Sequence, residues 1–116
     1  MLINKTLKLH CYDETFDVCF YLNRYEHHDN LYVGLYCIEE GGFEPFCDIT
    51  VNLDEKVPEE HGYLDTNNMG SEMVDWLKAN DFISLPLSFG FSGYCVYPLV
   101  KFNMDKIKEY IAEIEE

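Results

Sequence analysis

Residues alternate between apolar and polar through most of the first half of the chain, and a period of two commits that half to β-strands. Residues 5–12 set Leu7, Leu9 and Cys11 on one face against Lys8, His10 and Tyr12. Residues 16–25 set Phe16, Val18, Phe20 and Leu22 against Asp17, Cys19, Tyr21 and Asn23. The turn Glu26-His27-His28-Asp29-Asn30 leads into a strand over residues 31–39, so this pair reads as a β-hairpin. Gly41-Gly42 breaks the next connection. A fourth strand follows over residues 45–53, with Cys47, Ile49, Val51 and Leu53 inward and Phe46, Asp48, Thr50 and Asn52 outward.

Strand parity sorts the reactive residues. Cys11, Cys37 and Cys47 fall on the aliphatic face and read as core. Cys19 falls on the opposite face beside Tyr21, and Tyr32 and Tyr36 match it on the next strand. One face of the sheet is therefore aliphatic and the other rich in tyrosine. Such a face is either covered, more commonly by a helix, or left open to bind a partner.

The second half reads less regularly. Residues 54–68, with Pro58 and Gly62, are predicted to be an extended loop. A helix is predicted at about 70–80, with Met69, Met73, Trp76 and Leu77 as its stripe, Ser71 or Asn68 as cap, and Asn80-Asp81 as its end. Residues 82–93 hold Pro86, Gly90 and Gly93 and read as a loop. A fifth strand runs over 94–102, and Pro98 places it at an edge or breaks it there. Asn103 caps a last helix whose stripe is Met104, Ile107, Tyr110, Ile111 and Ile114. The expectation is a single α+β domain over residues 1–116, an antiparallel meander of about five strands with two helices packed on one face.

With 116 residues and 47% apolar composition, the chain can bury a core without metal or disulfides. Its five cysteines are an odd number with no C-x-x-C pair, which suits reduced thiols in the cytoplasm. No run approaches a membrane span, and the first residues lack the apolar core of a signal peptide. The charge is the most unusual property: 22 acids face eight bases, a net charge of −14. Nine acids lie between Glu39 and Asp65 (Glu39, Glu40, Glu44, Asp48, Asp54, Glu55, Glu59, Glu60, Asp65), with Lys56 the lone Lys or Arg among them. Glu109, Glu113, Glu115 and Glu116 make a second acidic end. This charge disfavours direct contact with nucleic acid or anionic membrane and favours a basic protein surface.

Candidate chemical sites are thin. His27-His28 sits between Glu26 and Asp29, but no further residue is placed to complete a metal site. Cys95, after Ser92-Gly93-Tyr94, is the best candidate nucleophile, yet the acidic surroundings disfavour thiolate. Glu39-Glu40 and Glu59-Glu60 are neighbouring acids in a chain full of acids, and carry little information about acid–base catalysis. Gly90-Phe91-Ser92-Gly93 lacks the lysine and the strand–loop–helix order of a phosphate cradle. No cofactor or catalytic residue is expected.

Three segments resemble a family of small acidic proteins of unknown function, carried largely by conjugative and other mobile elements of Gram-positive gut bacteria. They are Asp48-Ile49-Thr50-Val51-Asn52-Leu53, then Tyr63-Leu64-Asp65-Thr66-Asn67-Asn68, then Ser92-Gly93-Tyr94-Cys95-Val96-Tyr97-Pro98 leading into Phe102-Asn103. The resemblance covers roughly residues 30–105. In the family a Gly/Thr-rich stretch precedes the last motif, where this chain has Ile83-Ser84-Leu85-Pro86-Leu87-Ser88-Phe89. The family brings no activity to carry over. Its setting, with the charge, suggests an inhibitor of host defence, of anti-CRISPR or anti-restriction type, that occupies the nucleic-acid-binding surface of a host nuclease or DNA-binding protein. Glu39, Glu40, Glu44, Asp54, Glu55, Glu59 and Glu60 would make the contact, because rows of carboxylates can stand in for phosphates. The alternative is a regulatory or protein-binding module that works through Tyr21, Tyr32 and Tyr36, without catalysis.

Overall fold

The structure is a computed structural model that describes residues 2–3, 5–40 and 42–113. The alternating first half forms the sheet its parity predicts. Strands β2 (Leu7–Cys11), β3 (Glu14–Arg24), β4 (Leu31–Glu39) and β5 (Gly42–Asp48) follow β1 (Leu2–Ile3) and pair as an antiparallel meander in the order β2-β3-β4-β5. A bulge between Leu35 and Tyr36 shifts the β4–β5 register.

The predicted fourth strand does not run unbroken to residue 53. It leaves the first sheet at Asp48 and resumes as β6 (Thr50–Val51) in a second one. Ile49 is the crossing point. Its N–H donates to Val33 O of β4, and its carbonyl accepts from Asp65 N, each at 2.9 Å. Its side chain is wholly buried between the sheets.

The second sheet is built from segments that read as loops. β7 (His61–Leu64) lies inside the predicted 54–68 loop, and β8 (Ser88–Ser92) inside the predicted 82–93 loop. With β6 and β9 (Cys95–Lys101) they form an antiparallel sheet in the order β6-β7-β9-β8. Among the described residues the fold is thus two four-stranded sheets and one two-stranded pair with short helices, α+β, rather than one five-stranded meander. Gly62 allows β7 to lie close: a Cβ there would sit 3.0 Å from Thr50 and 3.1 Å from Phe102. β9 is an interior strand, not an edge. Its pairing with β7 stops at Leu99, one residue after Pro98, so the missing N–H has no β7 neighbour to serve.

The predicted 70–80 helix is α2 (Ser71–Ala79), preceded by the single turn α1 (Thr66–Met69). Asp65 caps α1 by accepting from Asn68 N, whereas the N-cap position of α2 is Gly70, with no side-chain cap. Ser71 and Asn68 do not cap as predicted. The last predicted helix shortens to α3 (Met104–Ile107), with Asn103 as its cap, and a 3-10 turn over Lys108–Tyr110. Ile111 then turns extended and bridges to Phe20, and β10 (Ala112–Glu113) pairs with β1. Bridging to β3 and pairing with β1 override the helical stripe here. Gly41, Ile114, Glu115 and Glu116 lie outside the described residues.

One apolar cluster joins the two sheets. Leu9, Val18, Phe20, Val33 and Leu35 of the first sheet meet Leu64, Val100 and Phe102, with Met69, Met73, Leu77 and Ile107 from the helices. Phe82 packs edge-on against Phe20 at 4.8 Å between ring centroids. A smaller cluster of Val57, Tyr63 and Tyr97 lies on the other face of the second sheet, with Val51, Leu53, Cys95 and Leu99 beside it.

Asn30, 4% exposed, fastens the loop between β6 and β7 to the β3–β4 turn. Its amide nitrogen donates to Asn52 Oδ1 and Glu55 O, each at 2.9 Å, and its oxygen accepts from Val57 N at 3.0 Å. Truncation strands the buried Val57 N–H. Asn30→Ala should therefore cost about 1–3 kcal/mol, measured as a lower urea midpoint at an unchanged slope.

Candidate functional site

The tyrosine face exists and, among the described residues, carries no helix. Every buried helical side chain (Met69, Met73, Leu77, Ile107) belongs to the cluster on the aliphatic face, so the commoner expectation, a helical cover, is not met among the described residues. The tyrosines pack on one another instead. Tyr21 stacks on Tyr36 at 5.4 Å and meets Tyr32 edge-on at 6.2 Å, and Tyr25 meets Tyr32 edge-on at 5.6 Å. Tyr32 folds over Gly34, where a Cβ would overlap its hydroxyl. That hydroxyl donates to Asp48, and burial together with this bond raises its pKa. All four rings are half-buried, and Cys19 beneath them is fully buried. They form a secondary packing layer whose outer edge meets solvent.

The acidic block does not form one surface. Glu39, Glu40 and Glu44 gather at the β4–β5 turn, around a small hollow completed by Gly42 and Phe43. Asp54, Glu55 and Glu59 lie beyond the other end of β4, by the β3–β4 turn, whereas Glu60 lines a separate hollow with Asp81, Lys101 and Asp105. The nine residues of β4 put roughly 25–30 Å between the two groups. The first group packs its charge together: Glu39, Glu44 and Asp17 all push the Cys37 thiol up, after burial. The second is partly compensated. Arg24 donates to Glu59 at 2.9 Å, which lowers that carboxyl's pKa. His28 Nε2 meets Asp54 at 2.9 Å and likewise lowers its pKa. Lys56 is held by the carbonyls of His28 and Asp29. Glu55 accepts from the Tyr63 hydroxyl, whose pKa is pushed up to about 12 by burial and by that bond. Among the described residues of the second acidic end, Glu109 meets Lys5 at 3.5 Å.

The histidine turn is structural in its contacts. His28 and Asp29 take left-handed backbone, and the Asn52 amide donates to His27 O. Among the described residues no cluster of three or more His, Cys, Asp or Glu side chains is placed to hold a metal. Cys95 is half-buried on β9, and its sulfur accepts from the Asn67 amide at 2.9 Å. Its neighbours include the Asn67 amide and the Tyr97 phenol.

Sequence reasoning missed one surface. Phe89, Phe91 and Val96 stand on the β8–β9 hairpin with 57%, 71% and 48% of their area exposed, and Leu85, Leu87 and Tyr94 are exposed beside them. A readable signal was present, since no charged residue occurs from Phe82 to Val100. Large apolar side chains exposed together mark interaction sites.

The described residues thus form an antiparallel α+β fold with split acidic clusters and an uncharged, partly exposed apolar hairpin. The chain belongs to the family of the domain of unknown function DUF4313, whose model matches residues 19–116. No curated protein and no solved structure matches it. Among the described residues no helix is long and apolar enough to cross a membrane.

The thiols give a titration test. Burial pushes Cys19 up to about 11 from an ordinary 9.0, and burial with Asp48 pushes Cys47 up to about 12. Both groups are raised acids held neutral in the folded chain. Their contribution is full below the unfolded pKa near 9 and is lost as pH rises through 9 toward the folded values. Thermal unfolding should show Tm falling between pH 8.5 and 11, and the fall should be shallower in Cys19→Ala/Cys47→Ala, each protein being referred to its own Tm at pH 8.

Proposed function

We propose that this chain is an interaction protein without catalysis of its own, which binds a basic surface on another protein. The supporting observation is the second acidic group. Asp54, Glu55, Glu59 and Glu60 are exposed on one loop, tied in place by Asn30, Arg24 and Lys56. A fixed row of carboxylates loses less side-chain freedom on binding than a mobile one. It also attracts a cationic partner over a Debye length of about 8–10 Å at physiological salt. A host nuclease or DNA-binding protein, blocked at the surface that would hold nucleic acid, is the partner this charge suits best, which makes the chain an anti-defence inhibitor of anti-CRISPR or anti-restriction type.

The tyrosine face supports the second reading, a protein-binding module. Its rings remain half-open after packing on one another. Under that reading, changes at Tyr21, Tyr32 and Tyr36 govern binding and salt has little effect.

Pull-down of the tagged chain from a host lysate at 50 and 500 mM salt separates the two. On the leading reading a basic protein is captured at low salt and released at high salt. Reversal of Asp54, Glu55, Glu59 and Glu60 to lysine abolishes capture. Capture that survives both treatments refutes it.

A further inference from the structure

The open edge of β8 is the strongest unassigned feature of the molecule. β8 is the last strand of its sheet, with no neighbour on its outer side among the described residues. Gly93-Tyr94 is a two-residue turn, so the closing pair Ser92 and Cys95 exchanges backbone bonds, as do Gly90 and Tyr97. The alternate residues Phe89 and Phe91 therefore point their N–H and C=O groups outward. The two edges of the first sheet are guarded. β5 carries Pro45, a bulge in its pairing and the exposed Glu44 and Asp48. The Trp76 indole donates to Lys8 O on β2 at 3.1 Å. β8, Ser-Phe-Gly-Phe-Ser, has no charge and no proline. It lacks the devices by which strand edges avoid pairing.

The two faces of this edge differ chemically. On one, Phe89 and Phe91 stand beside Val96 and Pro98, their cross-strand partners. On the other, Gly90 leaves room for Tyr63, whose ring atoms lie 2.6–2.8 Å from where a Cβ would be. The Tyr63 hydroxyl donates to Glu55. A groove along the edge is lined by Leu53, Asp54, Glu55, Phe89, Gly90 and Phe91. An added strand would find phenyl rings under one set of alternate side chains and carboxylates under the other.

Resting on the reading of a basic partner, we infer that β8 receives an extended segment of that partner as an additional strand. The segment alternates apolar residues, which cover Phe89, Phe91 and Val96, with Lys or Arg residues, which meet Glu55 and Asp54. Backbone bonds to Phe89 and Phe91 supply affinity and the two faces set register. A second copy of the chain is a poorer occupant. Pairing two β8 strands about Gly90 would bring two sets of Asp54 and Glu55 together across the seam.

The test uses a labelled nine-residue peptide of alternating Val and Lys that begins and ends with Val, with blocked ends, and fluorescence anisotropy on the full chain. Controls are the same peptide with its central Val replaced by Pro, and an alternating Glu/Val peptide. The Lys/Val peptide should bind with amide shifts at Phe89 and Phe91. Affinity should fall at least fivefold for the proline peptide, for Phe91→Ser and for Glu55→Gln, and the Glu/Val peptide should not bind. Phe91 is largely exposed, so its variant should keep the wild-type circular dichroism and Tm. Salt-sensitive binding that ignores the proline and Phe91→Ser overturns the edge site and leaves the acidic-surface reading standing. Equal, salt-insensitive binding of the Lys/Val and Glu/Val peptides overturns the basic occupant and the acidic-surface reading together. A dimer in sedimentation that Phe91→Ser dissolves assigns the edge to a second copy and overturns the inference.

Discussion

Ile49 is the residue on which the two halves of the molecule depend. Its N–H belongs to the first sheet and its carbonyl to the second, and its side chain fills the space between them. A strand that changes sheets must satisfy both ladders within one peptide, because a buried unpaired group costs about 1–3 kcal/mol. Thr50 continues the arrangement. Its hydroxyl accepts from Val33 N at 3.1 Å and lies 2.9 Å from the Tyr25 hydroxyl. The neighbouring loop is then fixed by Asn30. The acidic row and the β8 groove thus both rest on one crossing and one buried amide.

Legibility in the sequence followed the length and regularity of the pattern. Strands β2, β3 and β4 were readable because strict alternation over nine or more residues, or over a tight hairpin, has no helical alternative. The crossing at Ile49 was not, since Cys47, Ile49 and Val51 alternate just as they would in a single strand. β7 was hidden because four residues, His61–Leu64, carry too little pattern, and their burial comes from Phe102 and Val100, far along the chain. β8 was hidden by its glycine and flanking serines, although Phe89 and Phe91 alternate. The final helix is shorter than its stripe predicts, because the stripe is sound locally and loses to pairing with β1 and bridging to β3.

The candidate site was legible as composition and not as geometry. Acid count and block boundaries follow from the sequence, yet β4 separates Glu39, Glu40 and Glu44 from Asp54, Glu55, Glu59 and Glu60. Parity placed Tyr21, Tyr32 and Tyr36 on one face, and it could not say that they would pack on one another over Gly34. The core roles of Cys11 and Cys37 follow directly from parity, whereas Cys19 shows that a residue on the outer face can still be sealed by its neighbours.

The crossing at Ile49 also orders events during synthesis. The first sheet closes through adjacent hairpins, each able to form soon after its residues are made. β7 cannot complete its place until β9 arrives, since His61 pairs with Lys101 forty positions on. Closing that span costs more chain entropy than any turn of the meander. The nascent chain therefore carries a finished sheet and an unclosed one at once, and the uncharged stretch that includes β8 is made just before the strand that will hold it.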